Sequence, residues 1–298
     1  MNYDAIVIGG SFAGLSAAIY IARARRTVCV IDSGAPRNRF AGASHGFFGQ
    51  DGQQPQAMIS AAKQQLANYP NARIINGYAT AAEQMSDGFT VQLASAEVLC
   101  ATKLVLAFGV SDVLPETPGL ASCWGVSLLH CPYCHGYEFA NKRLGVLYAG
   151  PGSYRHATLI SEWGPTTLYL NGHDDPDQDA LAALTKRGIA IEPAGISAAI
   201  AEDGQLSALQ LEEGRHSSID ALYIHAHTKL SSSLAEQLGC ALEDGPFGPL
   251  VRTDANKLTS VPGVYAAGDI ARAPHNATWA AADGVTAGTA LHQALVFD

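Results

Sequence analysis

The stretch YDAIVIGGSFAGLSAAIYIARARRTVCVID, residues 3–32, decides the fold. Residues 3–8 are an apolar run of strand length, GGSFAG follows at 9–14, and LSAAIYIARA continues as an apolar helix. A second strand, TVCVID, ends on Asp32. Strand, glycine turn, helix and a strand closing on an acid form a dinucleotide-binding βαβ unit. Gly9 permits the tight turn, and Gly14 lets helix and strand approach closely. Gly10 and Ala13 complete the turn, where the helix N-terminus offers unpaired N–H groups to a diphosphate. Asp32, with Ser33 next to it, is placed to accept hydrogen bonds from ribose hydroxyls. Ser11 stands where G-x-G-x-x-G has its second glycine. This unit alone does not separate NAD from FAD.

Outward from this unit, 298 residues suggest about two domains. No apolar run approaches the roughly 20 residues that span a bilayer, and the N-terminus lacks the charged start of a signal peptide. A cytoplasmic protein is expected, with no membrane partner. A net charge of −9 leaves no basic stripe for phosphates, which excludes nucleic acid as a partner. Six cysteines, Cys29, Cys100, Cys123, Cys131, Cys134 and Cys240, are too scattered for a secreted disulfide scaffold. Cys29 and Cys240 read as packing residues, and Cys100 as the end of a strand.

Cys131 and Cys134 differ from the rest, because HCPYCHGYE (130–138) separates them by two residues only. Tetrahedral zinc needs two more ligands at knuckle-like spacing, and no second C-x-x-C or H-x-x-x-H exists, so no metal is expected. A dithiol beside a helix start is a redox centre, since the thiolate is the nucleophile there. His135, directly after the pair, titrates near neutrality and can move a proton in either direction.

Two further stretches carry a resemblance. TSVPGVYAAGDIA (259–271) is similar to the second FAD fingerprint of flavoprotein disulfide reductases, and LVLAFGVSDVLPETPG (104–119) resembles their A-T-G connector, with Phe108 in place of threonine. With GGSFAG and CPYC they stand in the order of the low-molecular-weight thioredoxin reductases, over nearly the whole chain. The C-x-x-C-H-G-Y-E stretch resembles the branch that holds the dithiol oxidases of gliotoxin- and holomycin-type natural products.

The resemblance implies an α/β enzyme of two Rossmann-like, three-layer (ββα) domains. The FAD domain is expected at 1–113 and 231–298, with an inserted NAD(P)H-domain-like module at 114–230 carrying CPYC. It implies a homodimer acting on a dithiol or disulfide, either a small molecule or a thioredoxin-like protein. Ala107 and Gly109, Gly268 and Asp269, and Asn276 and Ala277 at the start of a small-residue helix join the FAD set. Arg37, Asn38 and His45, from GAPRNRFAGASHGFFGQDG (34–52), are expected to approach the flavin. Cys134 would face the flavin, Cys131 would exchange with substrate, and His135 stands where thioredoxin reductases usually carry aspartate.

NADPH is the doubtful partner. In RLGVLYAGPGSYRHATLISEW (143–163) the first glycine position holds Tyr148, and Pro151 removes an N–H that would meet phosphate. After the strand TTLYL comes NGHDDPDQD (171–179), with four aspartates and no arginine for a 2′-phosphate. His227 stands where a second glycine turn is expected. Electrons are therefore expected to run from a substrate dithiol through the cysteines to FAD and dioxygen. Reduction of thioredoxin by NAD(P)H, reduction of a disulfide by a ferredoxin-like donor, and a flavin-binding redox sensor are the alternatives.

Overall fold

The computed structural model describes residues 2–174 and 176–298; Asp175, one of the four aspartates of NGHDDPDQD, lies outside the described residues. The chain opens with strand β1 (Asn2–Ile8), helix α1 (Phe12–Arg23), β2 (Val28–Asp32), α2 (Pro55–Ala67) and β3 (Ala72–Asn76). Strands β4 (Ala79–Met85), β5 (Gly88–Leu93), β6 (Val98–Leu106) and β7 (Val110–Val113) follow. Then come β8 (Leu128–Leu129), α3 (Pro132–His135), β9 (Leu144–Leu147), α4 (Gly152–Ile160), β10 (Thr166–Tyr169), α5 (Gln178–Lys186) and β11 (Ala190–Glu192). Next are β12 (Ile196–Glu202), β13 (Gln205–Leu211), β14 (His216–Ser218), β15 (Ala221–Tyr223), β16 (His227–Leu230) and α6 (Leu234–Gln237). The last elements are β17 (Leu242–Asp244), β18 (Pro249–Val251), β19 (Val264–Ala266) and α7 (Ala277–Phe297).

Two compact units result. The first comprises residues 1–39, 47–112 and 228–298, and the second 40–46 and 113–227.

In the first unit, β1 lies between β2 and β6, both parallel to it, and β3 extends the sheet beyond β2. Nine-residue β6 serves two layers. Its first half pairs antiparallel with β5, and its second half pairs parallel with β19. Side chains alternate across a strand, so β1 divides its apolar residues between two cores. Ala5 and Val7 pack with the apolar faces of α1, α2 and α7, while Ile6 and Ile8 pack with β4, β5 and α6. Helices, parallel sheet and antiparallel layer make the three-layer arrangement. Small residues bring α1 and α7 together: a Cβ built on Gly284 would lie 2.0 Å from the carbonyl oxygen of Ala13. Cys100 lies near the start of β6 rather than at a strand's end, because pairing with β5 and β1 carries that strand on to Leu106.

The second unit has its own parallel sheet in the order β11-β10-β9-β15-β8, with the β12-β13-β14 meander as a further layer. The α/β fold thus holds two Rossmann-like units, and the second is formed by two excursions of the first, a short one at 40–46 and a long one at 113–227. Asp177 caps α5 by accepting from the N–H of Ala180 at 2.8 Å. The NGHDDPDQD stretch therefore ends inside a helix instead of remaining loop throughout.

Candidate active site

Ligands of open parallel sheets bind at the carboxyl ends of the strands. In the first unit these ends collect most of the residues singled out above. Gly9 follows β1, Asp32 ends β2, Ala107 and Gly109 follow β6, and Gly268 and Asp269 follow β19. Gly9, Gly10, Gly14 and Gly268 leave no room for a side chain. At Gly9 (φ +115°) an added Cβ would lie 2.1 Å from the oxygen of Ala107, and at Gly14 it would lie 1.8 Å from the oxygen of Gly9. On Gly10 it would meet the Asp32 side chain at 2.5 Å, and on Gly268 (φ +80°) the Ala13 methyl at 2.9 Å.

Ser11 is the N-cap of α1 and makes no side-chain cap bond. The first-turn N–H groups of α1, Ala13 among them, have no intrahelical acceptors, which suits a diphosphate. Asp32 is buried, accepts from the Gly34 N–H at 3.1 Å and pairs with Lys63. Lys63, on α2, is a partner with no signal in the sequence. Ser33 is exposed just beyond it.

Arg37 is the hub of a second cluster in this unit. Its Nε donates to Asp112 at 2.9 Å, and its Nη1 lies 3.1 Å from Asp269 and 2.7 Å from Nδ1 of His275. Asp269 is thus brought to Arg37, while Asn38 occupies the same short turn, Arg37–Phe40. Asn276 is the N-cap of α7, its carboxamide oxygen accepting from the Thr278 N–H at 2.8 Å; Ala277 is the first helical residue. Asp112 and His275 complete this cluster. Asp112, inside β7, lay unmarked in the connector stretch, because a lone acid on a short strand announces no partner.

The second unit positions the cysteine pair. Tyr223 of β15 is in register with Leu129 of β8, and the Ile224 N–H donates to the Leu129 oxygen at 2.8 Å. That pairing fixes where the chain leaves the sheet, two residues before Cys131. Cys131 is the N-cap of α3, with Pro132 at its first position, where a missing N–H costs nothing. The two Sγ atoms are 2.8 Å apart. Gly136 closes the turn because a Cβ there would meet the Pro132 oxygen at 2.5 Å and the Trp163 indole at 2.7 Å. Trp163 also meets Tyr133 edge-on at 5.7 Å, so it clamps the short helix from one side.

His135 is partly buried, and this burial lowers its pKa; Glu138 opposes the shift, and His45 adds to it. His45 belongs to this unit, its Nε2 3.4 Å from Glu138. Within this unit it lies beside the C-H-G-Y-E stretch. Tyr133 and Tyr137 stand exposed on either side of His135. Beneath, Tyr223 is fully buried, and its hydroxyl has no hydrogen-bond partner among the described residues. Among the other cysteines, burial pushes the Cys29 thiol up to about 11 and also raises that of Cys240, so both stay protonated packing groups.

At the β9–α4 turn, Tyr148 stacks near Tyr154 at 5.4 Å and near His173 at 5.2 Å. Gly150 (φ +129°) leads into Pro151, the N-cap of α4, and the Ala149 N–H is taken by the Ser153 hydroxyl at 2.9 Å.

The chain is similar over nearly its whole length to known proteins. Thioredoxin reductase tcpT of Claviceps purpurea is 33% identical over 99% of this chain and 95% of its own length. Thioredoxin reductase sirT of Leptosphaeria maculans is 31% identical over 97% of this chain and 93% of its own length. The crystal structure of an oxidoreductase from Agrobacterium tumefaciens superposes with a TM-score of 0.95 at 40% identity, covering 100% of this chain and 99% of the other. Residues 3–284 match the pyridine nucleotide-disulphide oxidoreductases. With a thioredoxin reductase-like fold and a paired-cysteine centre, the chain belongs to that family of flavin-containing enzymes acting on thiols and disulfides.

Proposed function

We propose that this enzyme is an FAD-dependent dithiol oxidase that forms a disulfide without a nicotinamide coenzyme. The observation that carries the reading is the Cys131–Cys134 pair, 2.8 Å between sulfurs, followed directly by an imidazole that burial keeps neutral. A neutral imidazole takes protons, and oxidation of a dithiol releases them.

The carboxyl edge of the first sheet suits FAD: Gly9 to Gly14 for the diphosphate, Asp32 for a ribose, Asp269 for the ribityl chain, and the start of α7 for the ring. When bound, FAD supplies a two-electron path from the reduced cysteine pair to dioxygen, which leaves as hydrogen peroxide. The protein's own steps are thiol–disulfide exchanges. The two sulfurs are unbonded in this structure; in the oxidised enzyme, where they are joined as a disulfide, His135 takes the proton of a substrate thiol, and the thiolate attacks Sγ of Cys131. This breaks the Cys131–Cys134 bond and releases Cys134 as a thiolate. The second substrate thiol then attacks the substrate sulfur of the mixed disulfide, so the product disulfide leaves and Cys131 is released. Both enzyme sulfurs end reduced, and the substrate has lost two electrons and two protons.

The insert supports the absence of NADPH. Pro151 removes an N–H from the turn where a dinucleotide needs backbone donors, the Ala149 N–H is taken by the Ser153 hydroxyl, and Asp174 and Asp177 follow the strand that would hold 2′-phosphate-binding arginines. Carboxylates there repel a phosphate. The second reading, NAD(P)H-dependent disulfide reduction, draws on the printed names of the fungal relatives and on the complete β9–α4 strand, turn and helix.

Anaerobic mixing of the purified protein with NADPH, NADH or a dithiol separates them. Bleaching of the visible flavin band by dithiol alone, with peroxide on admitting air, is expected; rapid bleaching by NADPH sinks the proposal. Replacing Cys134 by serine is expected to abolish the long-wavelength thiolate–flavin absorption. Persistence of that band would reverse the roles of the two cysteines.

A further inference from the structure

Tyr223 presents a buried donor beneath the cysteine pair. Its side chain is fully buried on β15, and its hydroxyl has no hydrogen-bond partner among the described residues. Register sets it there: Tyr223 pairs with Leu129 of β8, two residues before Cys131. Its ring shares an apolar core with Leu129, Phe139, Val146 and Ala157, and His156 of α4 meets it edge-on at 6.2 Å. The titratable groups facing the phenol are Cys131, Glu138 and Cys134, with His156 against the ring. Burial first, then the two sulfurs and the carboxylate, raises the phenol's pKa, so it stays protonated and able to donate. Burial keeps His156 neutral, and it brings no competing charge. An apolar surround strengthens a hydrogen bond to an ion and makes an unpaired O–H costly. A donor kept there without an acceptor fits a charge that forms only during the reaction.

We propose that the Tyr223 hydroxyl is the hydrogen-bond donor that stabilises the Cys131 thiolate. Cys131 is the N-cap of α3 in extended backbone (φ −117°, ψ 113°), so turning about χ1 swings its Sγ without disturbing the helix. The role rests on the dithiol-oxidase reading above. When the second substrate thiol attacks the mixed disulfide, the bond between the substrate sulfur and Cys131 breaks, and its electron pair stays on Sγ of Cys131. Tyr223 donates to that charge and keeps its own proton. A sulfur stabilised as thiolate has a lower pKa and leaves faster. The acceptor exists only with the charge, so the bond belongs to the thiolate state and adds nothing to the stability of the dithiol fold.

The test reads the Cys131 thiol directly, in FAD-loaded Cys134→Ser protein. Its alkylation rate with iodoacetamide, which follows the thiolate, is measured from about pH 5 to 10, and the Cys131 peptide is identified by mass spectrometry. Adding Tyr223→Phe is expected to raise the midpoint by about one unit, a tenfold loss of thiolate at neutral pH, with Tm unchanged. Placing 3-fluorotyrosine at position 223, a more acidic phenol and a stronger donor, is expected to lower it. A midpoint unmoved by both replacements overturns the proposal. So does a shift found for Cys134 in Cys131→Ser protein and absent for Cys131. If the phenylalanine variant does not fold, the fluorinated protein decides alone. Alkylation uses neither flavin nor substrate, so rapid bleaching by NADPH would overturn the functional reading and leave this coupling standing.

Discussion

His135 shows how much chemistry one residue's surroundings set. Its ring lies between Glu138, which favours the cation, and the combined effect of burial and His45, which favour the neutral form. The neutral side prevails. As a base it works only unprotonated, so the rate of dithiol-dependent flavin bleaching is expected to hold at neutral pH. The rate should fall only as pH drops below the ordinary histidine range. His135→Ala is expected to lose roughly 10²–10⁴-fold and to lose that acid limb as well. Stopped-flow bleaching between pH 5 and 8 reads both; an unchanged profile in the variant removes His135 from the proton path. The pair and this histidine were legible in the sequence because their spacing is local. His45 was not: its residence beside Glu138 depends on residues 40–46 packing with the second unit, across more than ninety positions of chain.

At the scale of elements, α3 is a four-residue helix that cannot persist by its own hydrogen bonds. Register holds it at one end, through β8 on β15, and the Trp163 indole holds it at the other. Gly136→Ala inserts a methyl where the indole and the Pro132 oxygen already stand. Overpacking of this kind costs about 1–3 kcal/mol. A lower Tm together with faster alkylation of the reduced cysteines is the expected outcome; a lower Tm with unaltered alkylation would mean that the helix survives the strain. Tyr223 makes the opposite case, since its buried hydroxyl has no partner to lose among the described residues. Tyr223→Phe is expected to be neutral, or stabilising by up to about 1 kcal/mol, in chemical denaturation. A clear destabilisation would reveal a hydrogen bond that the phenol makes in solution.

For the whole molecule, stability in mild acid is tied to the second unit. Burial, with His225 beside it, lowers the pKa of His156 to about 4, against a hydrogen bond to the His130 backbone that pulls it up. The unfolded chain therefore binds a proton between about pH 6.5 and 4 that the folded chain refuses. The stability contributed by neutral His156 is complete above 6.5 and is lost as pH falls through this window, by roughly 3 kcal/mol. Denaturant unfolding at pH 7 and pH 4.5 is expected to show that loss in wild type and a smaller one in His156→Gln; equal losses would place the acid sensitivity elsewhere.

The sequence by itself determined the two Rossmann-like units and the places where chemistry collects. Glycine turns, a strand ending on an acid and a paired cysteine are local patterns, and local sterics force them. Gly9 and Gly14 leave no room for a side chain, and Asp32 ends its strand wherever the chain folds. Only the tertiary structure decided which charges meet. Lys63 reaches Asp32 from α2, and Arg37 gathers Asp112 from one distant stretch and Asp269 and His275 from another. Charge pairing acts through space over a few ångströms, and the sequence distance between partners leaves no periodic trace.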